Sequence, residues 1–353
     1  MSAQSFARSH LQSTPAMVKI GYHASHEQFK PSDLLRFVQM AEQAGFQLAL
    51  SSDHFTPWSE RQAQSGFAWS WLGAAMQATP KLAYRVVNAP GQRYHPAIIA
   101  QAAATLAEMF PERFWITVGS GQRMNEYITG DKWIPKDDRN TRLKECVDIM
   151  RALWRGERVT HCGFVTVEEA KLYSRPEIAP KVIGAAITPK TAAWLAGWAD
   201  GLITISQPKE KLQQVIEAFR SNGGEGKPML LKVQLSYARD EQTARNQAHD
   251  QWRNNIFDSK VLTELKTPDQ FDAMGELVQP DELDPFVRIS ADLQQQIDWL
   301  QQDAELGFDE LLLHNVNLQQ EEFIEDFGRV VIPALTQVIS PGEISDRPFT
   351  FIR

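Results

Sequence analysis

Asp53-His54-Phe55-Thr56-Pro57-Trp58 is the densest chemistry-bearing segment of the chain. An imidazole beside a carboxylate can work as a general acid or base near neutral pH. Pro57 stiffens the turn, and Trp58 offers a flat apolar wall to a planar ligand. A plainer role is also open, with the Asp capping a turn and the His satisfying backbone groups. Gly119-Ser120-Gly121-Gln122-Arg123-Met124-Asn125 holds paired glycines, which let backbone N–H groups approach an anion or a ring edge closely. It lacks the full dinucleotide fingerprint, so alone the signal is weak and a plain tight turn explains it better. Thr188-Pro189-Lys190 pairs a favoured N-cap with a favoured first helical residue, and such a helix start can hold a phosphate. Every helix needs a start, however. His23, His26, His54 and His314 are the residue type that metallohydrolases recruit at strand ends. His23-x-x-His26 would not put both rings on one strand face, so no metal is expected.

Residues so far apart need a scaffold that gathers them. Short apolar runs at 18–21, 46–51, 82–87, 114–119, 181–186, 202–205, 229–237 and 310–316 read as strands. Helical spacing follows each: 31–44, around Trp71–Met76, 95–110, 139–155, 191–199, 210–220, 241–257 and 320–339. Alternating β and α predicts a parallel sheet, and eight units predict an α/β fold of the closed (β/α)8 barrel type. Strands buried on both faces read as continuous apolar runs, as these do. The barrel is expected over 17–340, with insertions near 131–138, 156–180 and 259–290. Residues 156–180 alternate like a β-hairpin. Residues 1–16 read as a loose arm and 341–353 as a tail. Barrel chemistry sits at the C-terminal strand ends, and those ends carry His23, Asp53-His54, Asn88, Ser120, Thr188, Ser206 and His314.

Composition narrows the partners. The chain has 353 residues, 43% of them hydrophobic and 23% charged, which is ordinary for a globular protein and excludes disorder. A formal charge of −8 argues against nucleic-acid or anionic-membrane partners. Neither of the two cysteines sits in a metal-type or redox-type spacing, so a reduced, cytoplasmic protein is expected.

GYHASHEQF at 21–29, SSDHFTPW at 51–58, RYHPAIIAQAAATL at 93–106, VGSGQRMNE at 118–126 and ADGLITIS at 199–206 carry a resemblance. With these segments the chain resembles the luciferase-like superfamily of flavin- and deazaflavin-dependent oxidoreductases. It is most similar to the branch of coenzyme F420-dependent glucose-6-phosphate dehydrogenases, from about Lys19 to about Leu335. The resemblance implies that His54 takes the substrate hydroxyl proton and that Trp58 lines the reacting carbon. It places Asp53, Ser120, Gly121 and Asn125 on the cofactor. It puts a bulge with a non-prolyl cis peptide at Val87-Asn88-Ala89, behind the ring. It also implies a homodimer.

Three departures qualify that pattern. The branch has an acid where Gln122 stands, and an amide moves no proton at neutral pH. Its Gly-Gly-Pro phosphate cradle reads Ile187-Thr188-Pro189, leaving a smaller anion site at Thr188, Lys190 and Thr191. The substrate-phosphate loop reads Ser206-Gln207-Pro208-Lys209 with its lysine displaced, and Arg288 is the match for the phosphate arginine. These changes favour FMN over the deazaflavin, with a flavin reductase as electron source and either hydride transfer or monooxygenation as the reaction. The alternatives are an F420-dependent sugar-phosphate or alcohol dehydrogenase, and a non-catalytic flavin-binding barrel for which Gln122 would speak.

Overall fold

The computed structural model describes residues 18–336; the arm and tail expected at the two ends lie outside the described residues. Eight parallel strands close on themselves: β1 (Lys19–Ala24), β2 (Leu48–Ser51), β3 (Ala83–Asn88), β4 (Phe114–Val118), β5 (Val182–Ala185), β6 (Gly201–Ile205), β7 (Met229–Ser236) and β8 (Glu310–Asn315). Pairing runs from β1 through β6 in order, then β6 to β7, β7 to β8 and β8 back to β1. This is the (β/α)8 barrel that the alternating pattern predicts.

Side chains alternate across a strand, so every second residue points into the barrel. The interior is layered. At one end Arg85 and Glu310 form a buried ion pair at 2.6 Å, with the guanidinium 3.7 Å over the Trp115 ring. Leu48, Leu50, Ile183, Ile203, Leu230 and Leu312 make an apolar middle layer. Gly21 belongs to this layer because a Cβ there would lie 2.6 Å from Leu312 Cδ2. One step further up each strand the inward positions are His23, Ser52, Val87, Thr117, Ala185, Ile205, Lys232 and His314. The stacking of the barrel therefore turns polar at its C-terminal rim.

The outer faces of the strands bury against the helices in one large cluster that includes Tyr22, Tyr84, Phe114, Leu231 and Leu313. Pro31, Pro96 and Pro189 each open a helix, where a missing N–H costs nothing. The helix after β5 is Pro189–Ala196, capped by Thr188. His95, read as helical, is instead the N-cap of Pro96–Met109, its ring accepting from Ala97 N at 3.2 Å.

The stretch 156–180 contains the antiparallel strands Val159–Cys162 and Thr166–Ala170. Between β7 and β8 the chain makes the helices Glu241–Trp252, Ser259–Leu262 and Pro268–Gly275, then Leu293–Glu305. The last was not legible in the sequence. Two of its four buried residues, Gln296 and Asp303, are polar and break the apolar stripe. No helix among the described residues is long and apolar enough to cross a membrane.

Candidate active site

Three residues past β1, Glu27 lies buried beneath the rim. Its Oε2 accepts from Ser25 Oγ at 2.9 Å and from Ser52 Oγ at 2.7 Å. Its Oε1 lies 3.2 Å from His54 Nδ1, at ion-pair distance though off the line of a hydrogen bond. Burial holds the His54 imidazole below its ordinary value, with Arg93 and Lys232 adding to the effect and Glu27 opposing it. Burial alone would raise the Glu27 carboxyl, but His54 and the Ser52 hydrogen bond outweigh it and hold it low. The pair at neutral pH is thus a carboxylate beside a neutral imidazole. A carboxylate on the Nδ1 side favours the tautomer with its proton there, leaving Nε2 free to accept a proton.

Trp58 stacks obliquely on His54, ring centroids 5.1 Å apart, and meets Phe271 edge-on at 5.3 Å. Phe271 comes from the 259–290 insertion, which also pins the loop. Asp272 accepts from Ser59 Oγ at 2.6 Å and from Glu60 N at 3.0 Å, and Arg61 lies 3.0 Å from the same carboxylate. Asn254 donates to Trp58 O at 2.9 Å. The insertion thereby fixes where His54 and Trp58 point. Asp272→Ala is expected to raise KM and lower kcat together, on the order of tenfold, because misplaced catalytic groups are expensive. Steady-state kinetics with melting temperature as control would check it.

Asp53 is spent on the protein itself. It accepts from Asn88 Nδ2 at 2.7 Å, Trp69 Nε1 at 3.3 Å and Tyr94 OH at 3.0 Å, with Arg93 3.5 Å away. It holds β3 and the His54 loop in place, where direct cofactor contact was expected. Asn125, also expected on the cofactor, accepts from Phe55 N at 2.9 Å and so anchors the same loop. The described residues contain no cis peptide bond, so the implied one at Val87-Asn88-Ala89 is not present.

Other expected residues do reach the rim. Asn88 Oδ1 is buried without a partner. Gly121 takes φ +84°, which glycine adopts freely, and Gln122 begins the short helix Arg123–Glu126 without a side-chain cap. Ser120 Oγ accepts from Lys136. Thr188 Oγ1 accepts from Thr191 N at 3.4 Å, while Lys190 is exposed and 3.8 Å from Asp137. Ile187 and Ile205 are each 36% exposed, unusual for isoleucines at strand ends. Ser206 Oγ lies against Gln234 Oε1 at 2.5 Å, and Lys209 starts an outer helix. Arg288, expected at a substrate phosphate, is held by Asp303 at 2.5 and 2.8 Å and packs on the helix Leu293–Glu305 instead of the mouth. Its charge is already matched.

Of the remaining histidines, His23 and His314 stack at 4.3 Å, and His26 sits edge-on to Trp71 at 4.9 Å. Among the described residues no three His, Cys, Asp or Glu side chains are grouped to hold a metal ion.

A planar tricyclic ring needs an apolar bed, close backbone approach and a few convergent polar atoms. The rim supplies these in Val87, Ala185, Ile187 and Ile205, in Gly119 and Gly121, and in the orphaned Asn88 amide oxygen. A Cβ on Gly119 would meet only Ala185, at 3.8 Å, so that edge stays open. The residues fit a flavin-type ring.

Comparison with known proteins agrees with that geometry. The family profile described as luciferase-like monooxygenase matches residues 13–310. An F420-dependent glucose-6-phosphate dehydrogenase of Microbacterium testaceum is 33% identical over 330 residues, 90% of this chain and 97% of that one. The enzyme of the same name from Beutenbergia cavernae is 30% identical over 329 residues, 90% and 98% of the two chains. An F420-dependent secondary alcohol dehydrogenase, solved with an F420-acetone adduct, superposes with TM-score 0.84 at 30% identity, covering 91% of this chain and all of that one. The coenzyme F420-dependent tetrahydromethanopterin reductase of Methanopyrus kandleri shares the fold at TM-score 0.73 and 18% identity. The chain belongs to the luciferase-like family of oxidoreductases.

Proposed function

We propose that this protein moves a hydride between coenzyme F420 and an alcohol–carbonyl pair, with His54 handling the proton. The observation that carries the proposal is the neutral His54 imidazole set against the buried Glu27 carboxylate at the rim. The deazaflavin, when bound, supplies a two-electron hydride acceptor or donor. His54 Nε2 takes the hydroxyl proton in the oxidative direction and returns it in the reductive one. Glu27 stabilises the imidazolium while His54 holds that proton. Val87, Asn88, Ala89, Ser120 and Gly121 would hold the ring, and Thr188 and Thr191 the phosphate of its side chain. Trp58 closes the site to water above the reacting carbon.

The preference for FMN drawn from Ile187-Thr188-Pro189 gives way here. The relatives at 30–33% identity are named for F420, and so is the structure with TM-score 0.84. The Glu27–His54 pair also speaks against a non-catalytic barrel, although it does not replace the acid lost at Gln122. A homodimer in the cytoplasm is part of the same proposal. A flavin reductase would serve it only if FMN were the coenzyme.

Parallel fluorescence titrations with F420 and FMN test the reading. Saturable F420 binding at low micromolar concentration, with FMN at least about tenfold weaker, is expected. Tight FMN binding without F420 binding would return the chain to the oxygen-using side of the family. Binding of neither would end the proposal.

A further inference from the structure

Lys232 is a lysine in the middle of an apolar strand, MLLKVQLS. Leu230 belongs to the apolar interior layer, while Leu231 and Val233 pack outward against the helices. Strand alternation therefore turns Lys232 into the barrel, one step above Leu230 and level with the rim. Its neighbours across the ladder are Ile205 and Leu312, neither of which accepts a hydrogen bond from a side chain. The ammonium lies 5.7 Å from the Trp252 ring. Among the described residues no carboxylate comes within ion-pair distance of it.

Its charge is felt by Glu27, His23, His54 and His314, so it sits over the same floor as the catalytic pair. The imidazoles of His23 and His314 are held well below their ordinary value, chiefly by burial, and carry no charge at neutral pH. Three arginines near the rim are already matched. Arg93 faces Asp53 and Glu126, Arg61 faces Asp250 and Asp272, and Arg288 is bidentate on Asp303. Glu27 has Ser25, Ser52 and His54 for partners, so it does not need the lysine. Burial pulls the Lys232 amine down to about 8, with Glu27 opposing, which still leaves it mostly protonated at pH 7. Arg85, which strand alternation also turns into the barrel, is paired with Glu310, whereas Lys232 has no acceptor among the described residues.

We propose that Lys232 determines substrate specificity by binding the carboxylate of a small hydroxy acid or oxo acid whose hydroxyl or carbonyl oxygen is served by His54. The proposal rests on the hydride-transfer reading above. A single ammonium is a compact point charge suited to one carboxylate. A phosphate dianion would call for a second cation or a guanidinium fork, and Arg288 is not free to provide it. The substrate class that a single inward ammonium fits is therefore a monoanionic acid.

Oxamate and oxamide make a suitable pair of probes, nearly equal in size and different in charge. Each is titrated calorimetrically into the F420-loaded protein, into the protein without added coenzyme, and into Lys232→Met and Lys232→Gln of both. Oxamate is expected to bind wild type at least about tenfold more tightly than oxamide. Both variants should lose about 10- to 100-fold in oxamate affinity, the range of a charge-assisted hydrogen bond, and keep oxamide and F420 affinity. Lys232→Arg should recover part of the loss. Equal binding of the two probes by wild type, unchanged oxamate affinity in the variants, or loss of F420 affinity in them would each overturn the assignment. The coenzyme-free titration separates the two claims. Lysine-dependent oxamate binding there supports the subsite even if F420 does not bind, and its absence both with and without coenzyme contradicts the subsite alone.

Discussion

His54→Ala should lower turnover by about 10²- to 10⁴-fold, the usual worth of a positioned general base. F420 affinity and melting temperature should stay near wild type, because the ring faces the rim and its removal empties a partly open site. Glu27→Gln should cost less, about 10- to 100-fold, since Nε2 survives while its orienting carboxylate does not. The two variants also differ in their pH profiles. In wild type, alcohol oxidation needs neutral His54, so kcat/KM should rise with pH through the His54 value, below 6.5, and level off above it. The Glu27 carboxylate favours the imidazolium, so its loss should move that acid limb to lower pH. A histidine with only a packing role would change stability and leave the limb where it was. Stopped-flow reduction of the coenzyme across pH 5–8 distinguishes these outcomes.

Mild acid should unfold this protein more readily than its carboxylates alone would suggest. His23, His26 and His314 are buried and His54 is half-buried, and desolvation pushes each below its ordinary 6.5, His26 to about 4. Above pH 6.5 these groups are neutral in both folded and unfolded chains and add no pH dependence. Below it the unfolded chain binds protons that the fold refuses, so stability falls as pH drops from 6.5 toward the folded values. Each group can contribute up to about 1.4 kcal/mol per pH unit, and four together up to about 5 kcal/mol per unit. Domains of ordinary stability have about 5–15 kcal/mol in total. Glu126, whose carboxyl burial raises, opposes this trend more weakly. Urea midpoints should therefore drop sharply between pH 7 and pH 5 with little change in slope. A midpoint that is flat over that window would mean the histidines are already solvated. His26→Gln should soften the drop, since its ring nitrogens have no hydrogen-bond partner to lose.

The barrel was legible because short apolar runs alternate eight times with longer segments of helical spacing, the signature of a parallel (β/α)8 barrel. What the sequence hid was hidden by three-dimensional pairing. Glu27 stands next to His26 in the chain, yet its partner is His54, delivered by the following strand. Asp53 stands next to His54 and looks like its partner, but its carboxylate turns to Asn88, Trp69 and Tyr94. Lys232 is masked by the apolar strand around it, which otherwise reads as core. Counting alternate positions from Leu230 would have shown it pointing inward. Arg288 carried a signal of family spacing, and only its geometry reveals the Asp303 clamp. Adjacency along the chain misled for Glu27 and Asp53, whose partners come from other elements, whereas the two-residue period of the strand recovers Lys232.

The most direct test of the account is a crystal structure of the protein loaded with F420. The deazaflavin is expected to lie across the rim beside Val87–Ala89, its hydride-exchanging carbon facing His54, with His54 still paired with Glu27. A ring bound away from the rim, or a His54 side chain turned out of the mouth when the ring is present, would contradict it.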